Sequence, residues 1–452
     1  MSNFTSSGTF RSDSQNGKPY NCNGVLGCLN ASCMMEAGFK IKSFDEDCNV
    51  TDMVIFGENV PKNIKLSSDR YIKSVEFIGT VELPPEYLSN LTPLENVVLS
   101  DELNSIPDRL FYYCSNLKSV TIKDNVSRIG NYAFYRCTML ESVTIPYGVT
   151  EIGNYAFQNC TSLETISIPS TVKKIGQNAF NGCTNLKTVI LEQGIEIIDS
   201  SAFNGCTVLE SVTIPYGVVS IGNSAFQNCK AIKSLTIPET VKSVGSSAFA
   251  GCSGIKTVEI SQGVEDIGSS AFSNCDSLES ISIPEGVTSI ETSLFYNCLK
   301  LKSAHIPESV AYIGPYAFQN CSSLESINIP KNATSIGQYA FDACVLLESI
   351  VLYENVSSVG NYAFRNCHSL ASFTGLSGKG YGGNYVFAYC EKLKEIQLGS
   401  VGNGVTTIGT NFLRNTYPEE KMVITVYVDD PDNQIALQPW GASNATVSYM
   451  KA

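Results

Sequence analysis

The sequence predicts an α/β repeat solenoid, and three observations lead to that fold class. A cysteine recurs every 23 residues, with a phenylalanine three positions before each one. ESVTIPYGV occurs intact at 141–149 and 210–218, three periods apart, and no insertion breaks the pattern between 111 and 393. Because one such unit cannot bury its own apolar face, stacked copies must share one core. The repeated cysteines are Cys114, Cys137, Cys160, Cys183, Cys206, Cys229, Cys252, Cys275, Cys298, Cys321, Cys344, Cys367 and Cys390.

Each unit is predicted to begin with a short strand. In residues 140–160, LESVTIPYGVTEIGNYAFQNC, the apolar Val143 and Ile145 alternate with hydroxyl-bearing residues. This is the two-residue period of a strand that buries one face. Pro146 has no backbone N–H to give to a sheet ladder, so the strand ends there.

The second half of the unit is predicted to return to the core and close with a turn. Val149 and Ile152 are the returning apolar residues, and Gly153 permits a tight bend. The last stretch, NYAFQNC, predicts a single helical or 3₁₀ turn. In such a turn Phe157 and Cys160, three residues apart, share one face.

The pattern LxxVxIP followed by VxxIGxxAFxxC at 23-residue spacing resembles the BspA-like type of leucine-rich repeat, over about residues 69–416. The sequence departs from the commonest leucine-rich consensus because the IP turn replaces an asparagine ladder after the strand. The resemblance implies a curved horseshoe with a parallel β-sheet on the concave face, the short helical or 3₁₀ turns lying on its convex face. It also implies a place on the surface of a bacterium or parasitic protist, and adhesion to host components or other microbes.

Three regions are predicted along the chain. Residues 1–59 form an N-terminal polar segment with a cysteine-containing cap. Residues 60–416 form the solenoid, with thirteen regular repeats and degenerate repeats at both ends. Residues 417–452 contain two strand-like runs and the only tryptophan, Trp440, and are interpreted as a C-terminal cap that shields the core from water.

Composition narrows the classes of partner. The chain has 452 residues, 43% of them apolar, and a net charge of −13. An acidic surface without a Lys/Arg cluster repels phosphate backbones, so no nucleic-acid partner is predicted. The sequence contains no run of 18 apolar residues, so no membrane span is predicted. The first 20 residues lack the apolar region of a signal peptide.

Three interpretations compete for the cysteine column. Catalysis would need a base beside each thiol, and the chain has only two histidines, His305 and His368. Disulfides are geometrically conceivable between stacked residues, but equivalent side chains point in parallel. Packing is favoured, because free cysteine is a small, commonly buried hydrophobe. The predicted structural ladder includes Cys137, Cys160, Cys183, Cys206 and Cys229 with Phe134, Phe157 and Phe180.

Four further cysteines, Cys22, Cys28, Cys33 and Cys48, lie before the array. Two disulfides that pin an N-terminal cap are one interpretation, and four free thiols are the other, slightly favoured one. The spacing of these residues matches no common zinc site, so no metal is predicted.

Two outward-facing columns of the predicted sheet differ in character. Five residues after the cysteine, twelve of thirteen repeats carry Ser or Thr, which predicts a ladder of hydroxyls that bond to one another. Two residues further on the column varies, as a recognition surface would. Its unusual members, Glu259, His305 and Asn328, are the candidate ligand-binding residues.

The sequence therefore predicts a non-enzymatic binding scaffold, extracellular or at the cell surface, that recognises a protein or glycan partner. No cofactor is predicted. The alternative is a structural component of a larger assembly, such as a virion, tail or surface layer, attached through its terminal segments. The sequence is compatible both with a monomer and with a component of an assembly. An enzyme is not predicted, because no phosphate loop, metal cluster or activated nucleophile is present.

Overall fold

The computed structural model describes residues 39–44, 50–56, 71–79, 83–376, 381–399, 407–416, 422–428 and 445–451. The four N-terminal cysteines and Trp440 lie outside these ranges, as do residues 59 and 60 at the first predicted cap boundary and residue 417 at the second. The described residues form a parallel β-solenoid and fall into two compact units. The first unit comprises residues up to Ile195 together with Gly205–Thr207. The second comprises Glu196–Asn204 and the residues from Val208 onward.

The predicted strand follows every array cysteine except Cys206, where Ser211 forms only an isolated bridge, and we name these strands sheet A. Their alternating pattern buries one face, as in Thr165–Ile168, where Ile166 and Ile168 point inward. Neighbours pair in parallel with a shift of one repeat, so that Thr165 lies beside Thr188. In the first unit the strands are Ser74–Ile78, Asn96–Val98, Ser119–Thr121, Ser142–Val143, Thr165–Ile168 and Thr188–Leu191. In the second unit they are Ser234–Ile237, Thr257–Ile260, Ser280–Ser282, Ser303–His305, Ser326–Ile327, Ser349–Val351, Ser372–Gly375 and Glu395–Leu398.

Further strands extend sheet A in each unit. Phe39–Phe44 pairs antiparallel with Val50–Phe56, which pairs in parallel with Ser74–Ile78. In the second unit, Met422–Val428 pairs in parallel with Glu395–Leu398, and Ala445–Lys451 pairs with it in turn. These last two strands coincide with the two strand-like runs of the C-terminal sequence.

A second strand of two residues forms in each repeat at the returning apolar residue, and the sequence interpretation missed it. We name these strands sheet B. A two-residue strand has too short an alternation to be recognised in one copy, and only stacking supplies its partners. In the first unit they are Ser105–Ile106, Arg128–Ile129, Glu151–Ile152 and Lys174–Ile175. In the second they are Ile197–Ile198, Ser220–Ile221, Ser243–Val244, Asp266–Ile267, Ser289–Ile290, Tyr312–Ile313, Ser335–Ile336, Ser358–Val359, Tyr381–Gly382 and Thr407–Ile408.

The prediction of helical or 3₁₀ turns is wrong: the described residues contain turns there and no helix. Tyr155 and Asn159 have φ of 59°, in the left-handed region, and so interrupt a right-handed helix. Alternate N–H groups donate to the next repeat instead of along their own chain. Tyr155 donates to Gln177 O at 2.8 Å, and Phe157 donates to Ala179 O at 2.7 Å. We call the six residues that end at each cysteine the turn segment.

The residue before each cysteine carried a signal of this geometry. Asn159, Gly182 and Gly205 have φ of 59°, 73° and 74°, and Asn and Gly are the residues that adopt such angles most readily. A helical turn would not need them there.

Gly153 is required for a different reason from the predicted bend. Its φ is not positive, but a Cβ added to it would lie 2.7 Å from the backbone nitrogen of Asn131 in the preceding repeat. Only glycine allows the two backbones to approach so closely.

The core of each unit contains a column of phenylalanine rings. Phe157 is fully buried, with ring centroids 4.9 Å from Phe134 and 5.1 Å from Phe180, and the ring planes are nearly parallel. In the second unit the column runs through Phe203, Phe226, Phe249, Phe272, Phe295, Phe318, Phe341, Phe364 and Phe387. This buried frame fixes where the exposed residues of sheet A and the turn segments lie.

Candidate binding surface

Every cysteine of the array is buried, free of disulfides and hydrogen-bonded. Cys160 Sγ donates to Phe134 O at 3.2 Å, in the preceding repeat, and that carbonyl also accepts the Cys137 N–H at 3.1 Å. The same thiol-to-carbonyl contact recurs from Cys137 to Cys390 at 3.1–3.4 Å. The column therefore combines packing with a hydrogen bond that sequence reasoning did not foresee.

Burial also makes these thiols poor nucleophiles. Desolvation raises the pKa of Cys183, Cys252 and Cys298 to about 12, although each has a hydrogen bond that opposes the shift. Cys367 donates to Phe341 O at 3.2 Å rather than to the adjacent His368. Neither reactivity nor a Cys–His pair therefore supports catalysis here.

We expect the thirteen array thiols to resist alkylation in the native protein and to react on unfolding. At a pKa of about 12, as for Cys183, roughly one thiol in ten thousand is ionised at about pH 8, and the packing around all thirteen buried side chains excludes the reagent. Mass spectrometry of iodoacetamide adducts, with and without guanidinium, measures this directly. The four N-terminal cysteines supply the contrast: native adducts on all four indicate free thiols, and adducts only after reduction indicate disulfides. Rapid native modification of Cys183 would contradict the expectation.

The exposed face of sheet A carries the hydroxyl column, and these hydroxyls do not form the predicted ladder. Stacked hydroxyls one repeat apart can bond when their rotamers lean together, as Ser243 Oγ does to Ser220 Oγ at 3.2 Å in sheet B, but no two described hydroxyls of this column do so. Among the described residues, Ser119 alone in this column bonds to a neighbouring side chain, Asn96 Oδ1 at 2.8 Å. From Ser142 to Ser349 the column is exposed, so its hydroxyls are open to solvent or a ligand.

Glu259 and His305 lie in the varied column of the second unit, and both are exposed. The pairs Thr236–Glu259 and Ser282–His305 share strand positions, so the two candidates stand two strands apart, about 10 Å. Thr236 Oγ1 donates to Glu259 Oε2 at 3.4 Å. The structure therefore places a carboxylate and an imidazole on one exposed strip without direct contact between them.

Asn328 lies in the same column, but its amide is already engaged. Its Nδ2 donates to Ile306 O at 2.7 Å, and the Ile306 N–H donates to its Oδ1 at 3.2 Å. The strand ladder ends at Ile327, so the side chain replaces the main-chain bonds that would follow. Asn328 thus holds the end of the strand that presents His305.

A second polar arrangement, in the turn segments of the second unit, was missed by sequence reasoning. The buried carboxylate of Asp342 accepts two bonds from Arg365, at 2.9 and 2.7 Å, and one from Gln319 Nε2 at 2.9 Å. Arg365 also lies over the rings of Tyr339 and Tyr362, which stack on each other at 4.7 Å. This Asp342–Arg365 network joins successive repeats, and its members are too far apart in sequence for a motif to reveal it.

A shallow groove of about 420 Å³ lies on the turn segments of the second unit. It is lined by polar residues such as Asn228, Ser247 and Asn274, where other repeats carry tyrosine or larger side chains. Within the described ranges, no group of His, Cys, Asp and Glu could hold a metal ion. Those ranges also contain no helix suited to cross a membrane.

A parallel β-solenoid in which the 23-residue repeats contribute strands to sheet A, short strands to sheet B and turn segments is the fold of a leucine-rich repeat protein. The chain belongs to the BspA type of this class, because the family model for the BspA type leucine rich repeat region (6 copies) matches residues 81–210, 196–325 and 312–430. The resemblance inferred from the sequence is thereby confirmed. Among curated protein sequences, none matches the chain significantly.

The chain is similar to solved structures of leucine-rich repeat proteins. A protein from Bacteroides ovatus is 20% identical with a TM-score of 0.55, over 92% of this chain and 98% of that one. A leucine rich cell surface protein from Faecalibacterium prausnitzii is 26% identical, TM-score 0.42, over 73% and 91% of the two chains. One from Eubacterium ventriosum is 25% identical, TM-score 0.43, over 65% and 89%. No enzyme family is indicated.

Proposed function

We propose that this protein is a non-enzymatic scaffold that recognises a protein or glycan partner outside the cell or at its surface. The observation that carries the proposal is the exposed strip of sheet A in the second unit, where Glu259 and His305 interrupt a row of solvent-facing hydroxyls. Membership of the BspA type supports the surface location, because that type implies surface proteins that adhere.

The chemistry of the strip suits polar recognition. Hydroxyls can donate and accept, Glu259 supplies a charged acceptor, and His305 supplies a donor and an acceptor. The buried phenylalanine and cysteine columns hold these groups on strands, which limits the entropy lost on binding. We assign Glu259 and His305 to contact with the partner, and Asn328 to holding the strand end beside His305.

The double variant Glu259→Lys/His305→Glu should weaken binding of the partner at least about tenfold. Its free energy of unfolding should change by less than about 0.5 kcal/mol, because both side chains are exposed. A partner is first identified by probing glycan and host-protein arrays with the full chain. Affinity for that partner is then measured by titration calorimetry, and stability by thermal unfolding.

Thr121→Lys is the matched control, since Thr121 occupies the same exposed column in the first unit. Unchanged affinity in the double variant would refute the site. Silence on the arrays, together with concentration-dependent oligomers in light scattering, would refute the scaffold and favour the assembly component.

A further inference from the structure

A cluster of aromatic and cationic side chains covers the turn segments of the first unit. We name it the tyrosine–arginine patch, and its residues are Arg109, Tyr112, Tyr113, Tyr132, Tyr135 and Arg136. The tyrosines are half-buried and both arginines are exposed. Tyrosine and arginine are the side chains most enriched at the energetic centres of protein interfaces.

The patch is held rigidly. Tyr112 and Tyr135 stack at 5.0 Å with planes 12° apart, and Tyr132 stacks on Tyr155 at 4.6 Å and 2°. The backbone N–H of Tyr113 donates to Tyr135 O at 2.8 Å, and that of Arg136 donates to Gln158 O at 2.8 Å. These side chains therefore lose little conformational freedom when a partner binds.

Four of the six residues, Arg109, Tyr113, Tyr132 and Arg136, stand where the backbone disfavours them, with φ between 56° and 60°. Tyr113 and Arg136 precede the cysteine with φ of 60° and 58°, in the left-handed region. Later repeats of the first unit place Asn159, Gly182 and Gly205 at this position. A bulky side chain there is strained relative to Asn or Gly, and Tyr389 of the second unit adopts the same conformation.

The two arginines of the patch differ in whether a carboxylate pairs with the guanidinium. Arg109 pairs with Glu86 Oε1 at 2.9 Å. Arg136 packs over Tyr113 and Tyr135, 5.2 and 5.8 Å from the ring centroids, and has no carboxylate partner among the described residues. The patch thus presents one uncompensated guanidinium on a protein of net charge −13. Its electrostatic complement is a carboxylate.

The ring geometry favours an acidic protein segment over an anionic sugar as the partner. The faces of Tyr112 and Tyr132 each lie against another ring and against Arg109, so they are not open for a sugar ring to stack on. The Tyr112 hydroxyl bonds to Tyr113, and the hydroxyls of Tyr132 and Tyr135 remain available as donors. Burial raises the pKa of Tyr112, so its hydroxyl stays protonated near neutral pH.

We propose that the tyrosine–arginine patch binds an acidic segment of a partner protein. A Glu or Asp carboxylate accepts two bonds from Arg136, and tyrosine hydroxyls donate to carbonyl groups of the same segment. This surface belongs to the first unit and uses none of the sheet A residues assigned above, so it is a second recognition site.

Fluorescence anisotropy of a labelled peptide of alternating glutamate and glycine, titrated with the full chain, tests the proposal. We expect saturable binding that weakens with salt. Arg136→Gln should weaken it roughly tenfold or more, and Tyr135→Phe by a few fold, through loss of one hydrogen bond. Lys118→Gln is the control, because it removes one positive charge from the first unit outside the patch, at the residue before the strand Ser119–Thr121, where Lys118 pairs with Glu95.

Absence of saturable binding, or equal binding by Arg136→Gln, would overturn the proposal. A heparin fragment that binds more tightly than the peptide, with the same dependence on Arg136, would overturn the assignment to a protein segment. The Glu259→Lys/His305→Glu variant should still bind the peptide, which distinguishes failure of this site from failure of the proposed function.

Discussion

Replacing Phe157 with alanine is expected to lower the free energy of unfolding by about 3–5 kcal/mol. The ring is fully buried and stacks on Phe134 and Phe180, so the deletion leaves a cavity that touches three repeats. In a stacked array stability depends on the interface between neighbours, and this change weakens two interfaces at once. Urea denaturation followed by circular dichroism measures the loss.

Tyr147→Ala provides the control in the same unit. Tyr147 is 64% exposed and makes one surface hydrogen bond, to Glu192. Its loss should change stability by less than about 1 kcal/mol. If Phe157→Ala were no more destabilising than Tyr147→Ala, the phenylalanine column would not be the main source of core stability.

Replacing Arg365 with leucine is expected to destabilise the protein by about 3–5 kcal/mol. The Asp342 side chain is 2% exposed and would remain as a buried carboxylate without its cation. Gln319 and Asn366 would still donate to it, but neutral amides do not replace two charge-assisted bonds. Equilibrium unfolding in guanidinium is the measurement.

The double variant Asp342→Asn/Arg365→Leu should recover more than half of that loss. Asparagine is neutral and has nearly the same shape, and its oxygen can accept from one of Gln319 and Asn366 while its NH₂ donates to the other after an amide flip, so no buried charge is left unpaired. A double variant as unstable as Arg365→Leu alone would show that packing of the Arg365 side chain on Tyr339 and Tyr362, and not charge, stabilises this region.

The sequence predicted the strands of sheet A and the apolar residues that face inward, because both follow from a period that one copy already displays. It did not predict sheet B, whose two-residue strands exist only through pairing with neighbours. The turn segments were predicted as helical because Phe157 and Cys160 share a face in either conformation. The Asn and Gly that precede the cysteines were the overlooked signal, since only their left-handed φ separates the two conformations.

The candidate site was predicted less completely. The sequence placed Glu259, His305 and Asn328 in one outward column, and the structure places all three on exposed positions of the second unit. It could not show that Asn328 already bonds to Ile306, because that contact spans 22 residues and depends on where the strand ladder ends. The predicted hydroxyl ladder does not form in this column, although Ser220 and Ser243 of sheet B show that stacked hydroxyls can bond, because the period fixes which residues stack and not their rotamers.

By itself the sequence determined the repeat, its family and its buried face, because a strict period forces identical neighbours to share one core. Only the tertiary structure decided what each polar group does. The thiols bond to carbonyls of the preceding repeat, Arg365 satisfies a buried Asp342, and Arg136 has no carboxylate partner within the described part of the chain. Each of these outcomes depends on atoms about one repeat apart in the chain but within a few ångströms in space. Composition and periodicity do not record such distances.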